Sequence, residues 1–110
     1  LEMTYPANTW FHKIWIECKS SMPEIILDET EVWHKIISPI TERVFVWAKV
    51  GVNVVSLYLP LPLESDEELL DAKTSGPWRK FESRYRIDAA DKIPKAIELI
   101  KRAYTLDQLL

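Results

Sequence analysis

The stretch from Arg43 to Leu61 constrains the fold more than any other part of the chain. Val44, Val46, Ala48 and Val50 alternate with Arg43, Phe45, Trp47 and Lys49, and beyond Gly51-Val52-Asn53 the residues Val55, Leu57, Leu59 and Leu61 resume an apolar period of two. Successive side chains of an extended chain point to opposite faces, so this pattern predicts a β-hairpin with one aliphatic face set against a core. The other face carries Phe45, Trp47 and Tyr58. It is too aromatic for a surface that meets only water, and a second layer or a partner is expected to cover it.

The flanking segments supply what the hairpin must pack on. Trp10, Phe11, Ile14, Trp15 and Cys18 recur at helical spacing behind the candidate caps Asn8 and Thr9, predicting a first helix over 9–20. Ile25-Ile26-Leu27 and Glu31 to Ile37 read as strands, the second ending at the turn signal Ser38-Pro39. Ser65 stands three residues before Glu68, the spacing of a capping box, which predicts a short helix over 65–72 with Glu64, Asp66, Glu67, Glu68 and Asp71 as helix-start chemistry. Phe81, Ser83, Tyr85 and Ile87 alternate with Glu82, Arg84 and Arg86 in a further strand. Ile93, Ile97, Leu99, Ile100 and Tyr104 give the apolar stripe of a terminal helix starting near Asp91. Together these elements predict an α+β domain: an antiparallel sheet of four or five strands with the N- and C-terminal helices packed on one face.

A chain of 110 residues with 47% hydrophobic content is enough for one core without disulfide or metal staples. A single domain over 3–110 is expected, Leu1 and Glu2 ahead of Met3 reading as vector-derived residues. The longest apolar run, Val50 to Leu63, is broken by Asn53, Ser56, Pro60 and Pro62, too short for a membrane helix of ~20 residues. Cys18 is the lone cysteine, so no intrachain disulfide forms and a cytoplasmic location is expected; its thiol reads as a small core hydrophobe.

The residue pattern points away from catalysis. Gly51 and Gly76 are the only glycines, so a phosphate-binding glycine loop is absent, and Cys18, His12 and His34 lack zinc-ligand spacing. No catalytic set, metal site or cofactor is assigned. His34 with a carboxylate is the one arrangement that would support an enzyme, a small hydrolase at most. A net charge of −3 argues against nucleic acid for the chain as a whole, yet Arg79 to Arg102 is rich in bases. The best functional constellation joins Phe45, Trp47 and Tyr58 with Trp78, Arg84 and Arg86, because rings stack on planar groups while guanidiniums pair with phosphate or carboxylate.

The hairpin, Leu69-Leu70, Gly76-Pro77-Trp78, Phe81-Glu82-Ser83-Arg84-Tyr85-Arg86-Ile87 and Ala96 to Tyr104 together resemble a prokaryotic domain family labelled "predicted transport protein", over roughly residues 31–105. More distantly the chain is similar to small α+β domains that include a frataxin-like iron chaperone. The resemblance implies an α+β fold and an intracellular location, and brings no catalytic residues. Iron binding of the frataxin kind would have to use the acids from Glu64 to Asp71.

The sequence therefore reads as a non-enzymatic binding or regulatory accessory module that recognises an anionic or planar ligand, or a protein partner, through the aromatic side of its sheet. The alternative is a homodimeric structural domain that uses this face as its seam. A nucleic-acid-binding domain is the weaker alternative, and no membrane partner is expected.

Overall fold

Pro6 starts the first helix, not Thr9. Its ring presets φ and its missing N–H is one the first turn does not use, so α1 runs over Pro6–Ser21 behind an extended Tyr5, with Asn8 and Thr9 inside it. Six strands follow in the computed structural model, which describes residues 5–30 and 32–109. They are β1 (Ile26–Glu29), β2 (Trp33–Ile37), β3 (Val44–Val50), β4 (Val55–Leu59), β5 (Leu70–Asp71) and β6 (Ser83–Ile87), and α2 (Ile93–Leu109) closes the chain. The expectations for residues 1–3, and for Glu31 as the start of a strand, lie outside the described residues.

The sheet is antiparallel throughout, in the order β1-β2-β3-β4-β6-β5. It has six strands where four or five were expected, because Leu70–Asp71 pairs with β6 instead of closing a short helix. The capping-box signal loses to longer-range contacts. Asp66 is extended, its carboxylate 2.5 Å from Lys95 Nζ and 3.3 Å from Arg102 on α2, while Leu69 is buried in the core. Ser65 turns its hydroxyl back to the Pro62 carbonyl within a single 3-10 turn, Leu63–Ser65, and caps nothing. Local propensity is a weak bias that such tertiary contacts override.

Both helices cover one face of the sheet, as their stripes require. Ala7, Phe11, Ile14 and Cys18 of α1, and Ala96, Leu99, Ile100, Ala103 and Tyr104 of α2, bury against Val46, Ala48, Val55, Leu57 and Leu59. Ile97 is half-buried at the margin of this cluster. The far end of α2 is tied to the β2–β3 turn: Thr41 Oγ1 donates to the buried Asp107 carboxylate at 2.5 Å, and Arg43 Nε does so at 3.1 Å. No described helix is long and apolar enough to cross a membrane.

Candidate functional site

With the helices on one side, the other side of the sheet is left to its own side chains. Directly opposed residues of neighbouring antiparallel strands share a face. The register therefore lays out one row across the sheet, Asp28–Lys35–Trp47–Tyr58–Arg84–Leu70, and a second row beside it, Trp33–Lys49–Ser56–Arg86. On these two rows Lys35, Lys49, Arg84 and Arg86 meet one acid, Asp28, which lies 3.5 Å from Lys35.

At the centre the chain repeats a short pattern, Trp33-His34-Lys35 on β2 and Trp47-Ala48-Lys49 on β3. Antiparallel pairing sets Trp33 opposite Lys49 and Lys35 opposite Trp47, a checkerboard of rings and ammonium groups. The Lys35 nitrogen lies 5.3 Å from the Trp47 ring and the Lys49 nitrogen 5.9 Å from the Trp33 ring. Such cation–π contacts are worth about 0.5–1 kcal/mol each at exposed sites and hold the long side chains over the sheet. Trp33 meets Trp47 edge-on at 5.9 Å and Tyr58 at 5.7 Å.

A strap over 72–82, linking β5 to β6, folds over part of this surface. Its base is fixed by the Ala72 N–H donating to the Glu82 carbonyl (3.1 Å) and by the Thr74 hydroxyl donating to the Phe81 carbonyl (2.9 Å). Gly76 at φ +61° occupies the left-handed region that a side chain disfavours, and there the strap turns. Trp78 then sits 4.5 Å from the Trp47 ring, and Phe81 is buried 6.4 Å behind it, outside the main core. The aromatic face is thus partly covered by the chain itself. Between strap and sheet lies a cavity of about 520 Å³, lined by Trp33, Lys35, Trp47 and Tyr58 below and by Thr74 and Trp78 above.

Of the residues singled out from sequence, Trp47, Tyr58 and Trp78 come together around this cavity. Arg84 stands beside Tyr58 on the same face, and its Nε is buried with no hydrogen-bond partner among the described residues. Arg86 is exposed in the neighbouring row, outside the cavity. Phe45 is a correction. Ile36 pairs with Val46 but Ile37 pairs with Val44, so Phe45 is the extra residue of a β-bulge and turns to the helix side. There it is 1% exposed, with its ring 5.1 Å from Tyr104 of α2. Sequence reasoning missed Trp33, Lys35 and Lys49, for which the repeated Trp-x-Lys was the available signal.

The remaining reactive groups lie elsewhere. His34 faces α1, its ring 4.6 Å from Phe11 and its Nδ1 3.0 Å from the Glu29 carboxylate. The cavity beside it, about 430 Å³, is lined by His34, His12, Trp15 and Glu29 among others, so the histidine–carboxylate pair expected from sequence does form there, with neither hydroxyl nor thiol in the lining. Burial pushes the Cys18 thiol up to about 12, with Lys101 opposing and Glu17 adding to the shift, which leaves almost no thiolate at neutral pH. Hydrogen bonding from Lys95 first, then the Glu68 N–H, and also from Arg102, holds Asp66 below the usual carboxylate range despite its desolvation. Among the described residues no three His, Cys, Asp or Glu side chains gather as a metal site would need. The chain matches no family model, and no curated protein or solved structure is significantly similar to it.

Proposed function

We propose that this domain is a non-enzymatic binding module that holds a planar, anionic ligand against the aromatic face of its sheet. The observation that carries this reading is the convergence of Trp33, Trp47, Tyr58 and Trp78 on one cavity with the Lys35 ammonium in its wall. Its volume falls within the ~300–1,000 Å³ typical of small-ligand pockets. Rings at this density offer stacking faces to a flat molecule, and the bases around them favour negative charge over positive. A lone buried Cys18 suits a reducing compartment such as the cytoplasm. The likeness to the "predicted transport protein" family belongs to the same proposal, since Gly76-Pro77-Trp78 forms the strap's turn and Ala103-Tyr104 lies in α2.

Isothermal titration calorimetry with adenosine monophosphate and with anthranilate tests the proposal. At least one should bind, and Trp47→Ala should weaken it by about 5- to 150-fold, the worth of ~1–3 kcal/mol of stacking. A second reading, the homodimer, draws on Trp78, 42% exposed, and on exposed Ile26 and Leu70 at the two edges of the same face. Sedimentation separates the two. A dimer that Trp47→Ala dissociates, with no heat from either compound, would replace the ligand reading.

A further inference from the structure

The cavity accounts for only part of the surface. A small molecule filling it would meet Lys35 alone among the four bases, leaving Lys49, Arg86 and the unpartnered Nε of Arg84 without a role. These groups are placed regularly. Lys49 on β3 and Arg86 on β6 flank Ser56 of β4 in one row, roughly 10 Å apart at ~4.8 Å per strand step. The row that holds Trp47 and Tyr58 runs parallel to it, displaced by two residues along the strands, or about 7 Å. Lys49 and Arg86 in one line beside Trp47 and Tyr58 in the next, with Trp33 beginning the first line and Lys35 and Arg84 flanking the rings of the second, interleave cations and flat faces on one side of an antiparallel sheet, so that a polymer can set its charged backbone on the cations and turn its flat groups onto the rings between them.

We infer that the ligand of this face is single-stranded nucleic acid, of which two or three nucleotides are in contact. The inference rests on the planar-anion reading above and extends it from one unit to a chain. Phosphates would lie along Lys49 and Arg86, with Arg84 within reach of the next, while bases stack on Trp33, Tyr58 and Trp47. A duplex does not fit. Its bases are already stacked on one another, whereas the rings here line a cavity roofed by the strap, with Trp78 packed edge-on against Trp47, so a base reaches those rings only after leaving its own stack. The net charge of −3 does not oppose this, because charge acts locally and on these two rows four bases stand against the single acid Asp28. Asp66, from the acidic run, is turned to α2 and matched there by Lys95 and Arg102.

The test uses the whole chain and fluorescein-labelled hexauridylate and hexathymidylate, followed by anisotropy at 50 and 200 mM salt, with uridine monophosphate and a long G·C-rich duplex that stays paired at both salt concentrations as competitors. One or both hexamers should bind at least ten times more tightly than the mononucleotide, and the duplex should compete at least ten times less well than the single strand. With three phosphates neutralised, affinity should fall by about 20-fold between the two salt concentrations. The double variant Lys49→Ala, Arg86→Ala changes two exposed side chains, so it should keep the fold, weaken the hexamer and flatten the salt dependence by the share of two phosphates. Trp33→Ala should weaken binding and leave the salt slope unchanged. If the mononucleotide binds as tightly as the hexamers with little salt dependence, the polymer inference is overturned while the planar-anion reading stands. Binding of anthranilate but of no nucleotide or oligonucleotide overturns it in the same way. If neither oligonucleotides nor small planar anions bind, both are overturned together, and a dimer seen by sedimentation would give the face its other use.

Discussion

Phe45 offers the sharpest test of how this fold is built. The simple alternation of β3 puts its ring on the open face, where truncation would cost little stability; the bulge puts it under α2, 1% exposed and against Tyr104. Removing a buried phenylalanine side chain costs about 3–5 kcal/mol, part lost transfer energy and part unfilled cavity. The aromatic pair with Tyr104 contributes ~0.5–1.5 kcal/mol beyond burial, which favours the upper half of that range. Urea unfolding of Phe45→Ala, followed by far-UV circular dichroism, reads the difference directly. With a slope of ~2 kcal/mol/M for a domain of this size, a loss of ~4 kcal/mol lowers the midpoint by about 2 M. Phe45→Leu, which keeps most of the volume, should recover much of the loss. A Phe45→Ala midpoint unchanged within the ~0.5 kcal/mol typical of surface sites would refute the bulge and the packing argued from it.

Two further outcomes follow from the titrating groups. Asp66 is held below its unfolded value near ~3.9, so its contribution is present above that pH and is lost as pH falls through the lower folded value. Asp66→Asn should therefore be less stable at pH 7 and show a shallower fall in urea midpoint from pH 5 downward; parallel curves for both proteins would contradict this. Cys18, buried with its thiol pushed up to about 12, should be inert to a chromogenic disulfide reagent at pH 8 in the folded protein and react at once in guanidinium. Rapid labelling of the native chain would show that α1 does not seal it.

Much of this architecture was written in local periodicity. The Ala48–Leu57 face of the hairpin, the β6 alternation from Ser83 to Ile87 and the α2 stripe each depend on neighbours within a few residues, and each forms where the pattern puts it. The departures share one cause. The Phe45 bulge is set by pairing with β2, the absence of a helix after Ser65 by Lys95 and Arg102 some thirty residues on, and the sixth strand by the edge that β6 offers to Leu70. None of these partners is visible in a local window. The candidate site divides in the same way. Trp47 and Tyr58 were legible from alternation and Trp78 from its place next to the basic strand, whereas Trp33 and its lysine neighbours acquire meaning only once antiparallel pairing crosses one Trp-x-Lys with the other.

The strap joins two elements of unequal strength, and this sets how the cavity can open. Its floor lies on β2, β3 and β4, inside the sheet, while its roof is anchored through β5, two residues long and bound on one edge only. A segment held by so few backbone hydrogen bonds exchanges its amide protons through local opening, well below the free energy of global unfolding. Roof and outer edge should therefore unzip as one unit. Hydrogen exchange should find the amides of Ala72, Trp78 and Phe81 fast while those of Val46, Ala48 and Leu57 stay slow, and an occupant of the cavity should slow the first group and leave the second unchanged. In that sense the floor sets which groups a ligand meets, and the roof sets how quickly it can leave.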